Sequence, residues 1–159
     1  MTIDLALITS DDWAEFRDAR LAALEDSPYA FGGVLADEVL MGEAAWRKRL
    51  AGRAQFVARD GGKVVGTAGV FREGKNEACE LVSMWIAPSH RKRGVGQQIL
   101  ERALAHAREI GCDEMRLLVA EDNPAAERLY ARCGFTRTGI SGLIRPGEPR
   151  LEIEMARAL

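Results

Sequence analysis

A chain of 159 residues that is 47% hydrophobic has enough apolar side chains for one core, so a single domain over residues 1–159 is expected without disulfide staples. With 22 basic against 24 acidic residues and a formal charge of -2, the surface as a whole attracts neither nucleic acid nor anionic lipid. Any binding of an anion must be local.

The opening MTIDLALITSDD has an early Asp4, no basic leader and too few apolar residues for a signal peptide. No stretch approaches the roughly 18 consecutive apolar residues of a membrane span, so a soluble cytoplasmic chain is expected. TIDLALI alternates as a short strand, and TSDDW supplies hydroxyl and carboxylate caps for a helix. Trp13, Phe16, Ala19, Ala23 and Leu24 recur at helical spacing and should face the core. Arg20 falls within that stripe, where it either snorkels or pairs as a structural cation, or reaches a substrate carboxylate. EDSPYAFGG breaks the helix at Pro28, and EAAWRKRLAG reads as a second helix closed by Gly52.

AQFVARDGGKVVGTAGVF is two strands around Asp60-Gly61-Gly62, a strong hairpin signal. EACELVSMWIA is a longer strand, on which strict alternation sets Glu80 on one face with Val82, Met84 and Ile86. After the loop PSHRKRG, residues 95–110 carry Val95, Ile99, Leu100, Ala103, Leu104, Ala107 and Ile110 on one side of an amphipathic helix stopped by Gly111. EMRLLVA is a strand, and NPAAERLYARCG a short helix with Asn123 as cap and Pro124 in its first turn. FTRTGI and RLEIEMA close the series as strands, which makes a mixed α/β fold with no repeat or linker. Cys79, Cys112 and Cys133 are odd in number and lack CxxC spacing, so three reduced thiols and no metal site are expected.

The stretch SHRKRGVGQQIL has chemical content. A strand passing through a tight loop into a helix presents free N–H groups at the positive end of the helix dipole, which suits phosphate. Gly94 and Gly96 leave bare backbone for a ligand, and Arg91, Lys92 and Arg93 add charge. A P-loop would need Lys and Ser/Thr where Gln97 and Gln98 stand, and a dinucleotide fingerprint would need Gly or Ala at Ile99. The alternative is a solvated basic turn with a helix cap; three cations are too few to argue for nucleic acid.

WIAPSHRKRGVGQQIL resembles the pyrophosphate loop of the GNAT superfamily of N-acetyltransferases on Arg91, Gly94 and Gly96, with Pro88 ahead of it. EDNPAAERLYARCGF is similar to that family's second signature through Asn123, Tyr130 and Gly134-Phe135, and ALEDSPYAFGG resembles the N-terminal region of many bacterial members. The resemblance implies a twisted, mostly antiparallel sheet of about six or seven strands with about four helices, its central strands splayed around an acyl-CoA. It implies acetyl-CoA as donor, its pyrophosphate on the amides of Lys92, Arg93, Gly94, Val95, Gly96 and Gln97, and its thioester beside the backbone of Met84, Trp85 and Ile86. Asn123 is then a coenzyme A ligand, a helix cap, or both.

The family role carried onto Tyr130 is general acid to the departing thiolate; with ordinary values of about 10 and 8.5, the transfer is uphill by about 2 kcal/mol. The other reading is a Tyr that merely packs. An amine acceptor must lose a proton before it attacks, and Glu80 is the candidate base, against a strand-face charge with no duty. His90 and His106 read as surface or boundary histidines. The expected acceptor is a primary amine of a small molecule, in a pocket made by the first two helices, SPYAFGG and the loop GLIRPGEPR. Glu25, Asp26, Asp37, Glu38 and Glu148 are the acids available to draw it. The rivals are a protein N-terminus or lysine as acceptor, and a non-catalytic acyl-CoA sensor. The resemblance also allows a homodimer.

Overall fold

The computed structural model describes residues 1–159, and strands β1 (Ile3–Ile8), β2 (Ala54–Asp60), β3 (Lys63–Phe71), β4 (Cys79–Ile86), β5 (Glu114–Ala120), β6 (Thr136–Leu143) and β7 (Leu151–Ala158) join in one sheet. Their order is β1-β2-β3-β4-β5-β7-β6, and every neighbouring pair is antiparallel except β4 with β5. The helices are α1 (Trp13–Asp26), α2 (Leu35–Glu38), α3 (Glu43–Ala51), α4 (Val95–Glu109) and α5 (Pro124–Arg132). The expected architecture is present with one helix more, because a single turn such as α2 is too short to show a helical period.

The long helix α4 buries the stripe read from its sequence, with Val95, Ile99, Leu100, Ala103, Leu104 and Ala107 all inside. They share a core with Phe56, Val65 and Val70 of β2 and β3, Leu81 of β4, and Met115 and Leu117 of β5. Full burial of a side chain such as Leu104 contributes about 1.5–3 kcal/mol. On the other face, α1 and α3 pack Phe16, Trp46 and Leu50 against Ile8 and Val57. The hairpin turn is tight: Asp60 pairs with Lys63, and Gly61 and Gly62 both have positive φ, +58° and +83°.

Strand β4 departs from strict alternation. Thr67 faces Trp85 while Gly69 faces Val82, so one residue on β3 spans two on β4, and Ser83 takes a left-handed φ of 51°. Thr67 Oγ1 donates to the Ser83 carbonyl at 2.7 Å, and Arg53 Nη1 to Ser83 Oγ at 2.9 Å, which holds the bulge from one side. The bulge changes the face on which later side chains emerge. Met84 and Ile86 join Leu81 against the α4 core, while Trp85 turns toward Ala23, Leu24 and Phe31. Glu80 therefore shares the α1 side with Val82 and Trp85, not with Met84 and Ile86.

Beyond the bulge β4 leaves β5. The two strands pair only at Cys79 with Met115 and Glu80 with Arg116, so the rest of β4 presents an unpaired edge to a gap. At the paired end, Cys79 and Cys112 are joined by a disulfide across a Cα separation of 6.1 Å. This corrects the expectation of three free thiols: the turn after α4 returns Cys112 beside the start of β4, a closeness that spacing along the chain does not reveal. Cys133 is free and buried.

Candidate active site

The gap between β4 and β5 opens into two adjoining cavities of about 560 Å³ and 370 Å³. Ala30, Phe31, Met84, Ala120, Asn123, Ala126 and Tyr130 line both. Tyr130 thus stands at the junction, brought there by α5, whose start is fixed by Asn123 Oδ1 accepting from the Ala126 amide at 3.3 Å. Asn123 caps the helix and faces the cleft at once. Tyr130 is 6% exposed, stacks edge-on against Phe135, and has its phenol pushed well above the ordinary value by burial.

The larger cavity reaches the start of α4. Its walls include Trp85, Ile86, Arg91, Lys92, Gly94, Gly96 and Gln97. No side chain caps α4, so the amides of its first turn remain open toward this cavity. Lys92 and Gly94 are both left-handed, with φ of 61° and +83°, and a Cβ built on Gly94 would meet nothing within 4 Å. Space is thus free where a ligand would approach the backbone. Gly96 serves a second need: a Cβ there would lie 2.9 Å from Leu129 Cδ2, so its absence lets α5 close on α4. Val95 is fully buried and Arg93 lies outside the cavity walls, so what these two can offer is main chain and distant charge.

Arg91 is already engaged. Its Nε donates to the Ile86 carbonyl at 3.0 Å and its Nη2 to Asp26 Oδ2, an oxygen that also accepts from Trp85 Nε1 at 3.1 Å. Burial works to raise the Asp26 carboxyl, but hydrogen bonds from Ser27, Trp85 and Arg91 outweigh it and hold the group below its ordinary value. Asp26 therefore ties the end of α1 to β4 and to the basic loop. The sequence offers it as an acid free to draw an amine; in the fold it is engaged internally.

The smaller cavity is lined by Glu80, Ser83, Arg20, Arg53, Arg116, Glu152 and Glu154. Glu80 is exposed within it, and its register neighbour Arg116 is occupied by Glu114. Arg20 is the paired structural cation, forking onto buried Glu38 at 3.0 and 3.1 Å. Glu148 lies beside Arg145 and Arg150, both at 3.8 Å, so it too is partnered within the chain. GLIRPGEPR does not line the cavities; it grips SPYAFGG, with Arg145 Nη1 donating to the Phe31 carbonyl at 3.0 Å and Arg150 stacked 3.4 Å from the Tyr29 ring centre.

His90 lines the larger cavity but is held on both nitrogens, by Ser89 and Asp60 at 2.7 Å each. His106 packs edge-on against Phe56. Arg53, Glu152 and Glu154 have no signature in the sequence. A cation just before a strand and alternating acids on an amphipathic strand carry no signal of a shared cavity. No group of three His, Cys, Asp or Glu side chains is placed to hold a metal ion, and no helix is long and apolar enough to cross a membrane.

The model of the acetyltransferase (GNAT) family matches residues 13–135. The chain belongs to the GNAT family. This GNAT chain is 34% identical over 90 residues to a mycothiol acetyltransferase of Geodermatophilus obscurus, an alignment covering 54% of this chain and 29% of the relative. It is 36% identical over 85 residues to the N-alpha-acetyltransferase RimI of Mycobacterium tuberculosis, covering 52% of each chain. The chain thus spans about half or less of the length of these curated relatives. Among solved structures, the spermidine N-acetyltransferase of Vibrio cholerae in complex with CoA and spermine superposes with a TM-score of 0.77 at 21% identity, over 98% of this chain and 95% of that one. That likeness is one of fold. In this GNAT chain the open helix start, the left-handed loop and the parted strands are a set of main-chain features that fits the diphosphate and arm of a coenzyme A.

Proposed function

We propose that this GNAT chain transfers an acetyl group from acetyl-CoA directly to a primary amine of a small molecule, both substrates bound together, without an acyl-enzyme. The observation that carries this reading is Tyr130 at the junction of two cavities, one bounded by uncapped helix amides and the other by carboxylates. When bound, acetyl-CoA supplies the acyl group as a thioester. The amides of Lys92 to Gln97 receive its pyrophosphate, and the Ser83 bulge aims the main chain of Met84, Trp85 and Ile86 at the reacting end, where a preorganised N–H stabilises charge developing on oxygen.

Tyr130 keeps its proton through the neutral range because burial raises its phenol, and it donates that proton to the departing sulfur. Glu80, facing the smaller cavity, takes the proton that the amine must shed. Cys133, the free cysteine, is buried and lines neither cavity, which supports direct transfer. The similarity to RimI favours a second reading of the acceptor, a protein N-terminus.

The test is thiol release from acetyl-CoA against a panel of amines, amino acids, polyamines, aminoglycosides and peptides. Release that depends on the amine, lowered by Glu80→Gln while coenzyme A still binds, is the expected result. Coenzyme A binding with no release for any acceptor would make the chain a sensor rather than a catalyst.

A further inference from the structure

The smaller cavity is polarised by an imbalance of charge. Three guanidiniums, Arg20, Arg49 and Arg53, gather near one carboxylate, Glu38. Arg20 forks onto Glu38, and Arg49 adds a contact to the same Oε1 at 2.8 Å, so that carboxylate is shared by two cations. Arg53 is left with a neutral partner, Ser83 Oγ at 2.9 Å, and has no carboxylate within ion-pair distance. Its stem passes through space that Gly69 keeps clear, where a Cβ would come within 3.3 Å of Arg53 Cδ. Burial and then the neighbouring Arg49 and Arg20 lower its guanidinium to about 10. A cation desolvated among cations gains from an incoming anion. Holding Ser83 in place needs only a neutral donor, so that contact does not account for the charge.

The same cavity also carries groups of the opposite sign. Glu80 of β4 and Glu152 of β7 line the cavity without a side-chain partner, whereas Glu154 accepts from Thr138 at 2.9 Å. Burial raises the Glu152 carboxyl. Arg53 lacks an anion, and Glu80 and Glu152 in the same cavity offer carboxylates to a cationic nitrogen.

We infer that the acceptor is a primary amine bearing a carboxylate a few bonds from its nitrogen, an α-amino acid in its simplest form, with that carboxylate paired to Arg53 and the nitrogen facing Glu80 and Glu152. This rests on the proposed acetyl transfer to an amine. It separates the two acceptor readings, since a peptide N-terminus has an amide where the amino acid has its carboxylate.

The experiment compares matched pairs: free amino acids against their amides and their decarboxylated amines, with spermidine and a short peptide alongside, read as thiol release. Binding of the same amino acids to the coenzyme A-loaded protein is measured by calorimetry in parallel. A charge-assisted pair predicts a KM for the amino acid about 10- to 100-fold below that of its amide. Arg53→Gln should erase that preference and Arg53→Lys restore part of it, with coenzyme A titration and melting temperature showing that each variant is folded. If Arg53→Gln does not fold, the wild-type comparison of acid with amide decides by itself. Equal use of amides or plain amines, a preference that survives Arg53→Gln, or no binding and no reaction of any amino acid overturns the inference. Arg53-dependent binding of amino acids without thiol release for any acceptor would uphold the site and defeat the transfer reading instead.

Discussion

The two halves of the cleft are built from different materials. The half proposed for the donor is main chain: an uncapped helix start, two left-handed residues in the loop and a bulge beyond which β4 and β5 part. The half proposed for the acceptor is side chain, with guanidiniums from α1 and the approach to β2 and carboxylates from β4 and β7 lining one cavity. A half made of backbone accepts one ligand and tolerates few changes. A half made of side chains can be rewritten residue by residue, which is how one fold comes to serve many acceptors.

Tyr130 stands where the halves meet, and its loss should be the largest effect. Tyr130→Phe removes the proposed acid and should lower kcat by about 100- to 10,000-fold while leaving coenzyme A affinity within a few-fold, read by steady-state rates and calorimetry. Parallel losses in rate and affinity would make Tyr130 a packing residue. Next comes the contrast between the two loop glycines. Gly94→Leu places a side chain in open space at positive φ and should weaken coenzyme A binding by roughly 100-fold with modest change in melting temperature. Gly96→Leu instead drives into Leu129 and should lower the melting temperature first. The same response from both would erase the distinction between ligand space and packing space.

The smallest effect concerns Asp26, which ties the end of α1 to β4 and to the basic loop through Trp85 and Arg91. Its folded carboxyl lies below the ordinary 3.8, so the stability it contributes is present above that pH and is lost as pH falls through the folded value. Asp26→Asn should therefore lower stability at neutral pH and flatten the acid-side loss that the wild type shows, measured by denaturant midpoints across pH.

The contrast in materials also explains what the sequence can disclose. Gly94, Gly96 and Asn123 announce local backbone geometry at fixed spacing, so the loop, its helix and the cap are legible in the chain itself. The amphipathic stripe of α4 and the Asp60-Gly61-Gly62 turn are legible for the same reason. The bulge is not, because a serine rather than a glycine takes the left-handed conformation at position 83. Strict alternation without the bulge puts Glu80 on the wrong face relative to Met84 and Ile86. Arg53 and Glu152 lie about a hundred residues apart and meet only through the sheet order, and Cys79 and Cys112 are joined in the same way.

The most direct test of the central claim, that open main chain at the start of α4 holds the donor in the gap between β4 and β5, is a calorimetric titration of coenzyme A into the wild-type protein. Saturable heat with one site per chain, lost in Gly94→Leu, is the predicted result. Absence of heat in the wild type, or undiminished binding by Gly94→Leu, would contradict it.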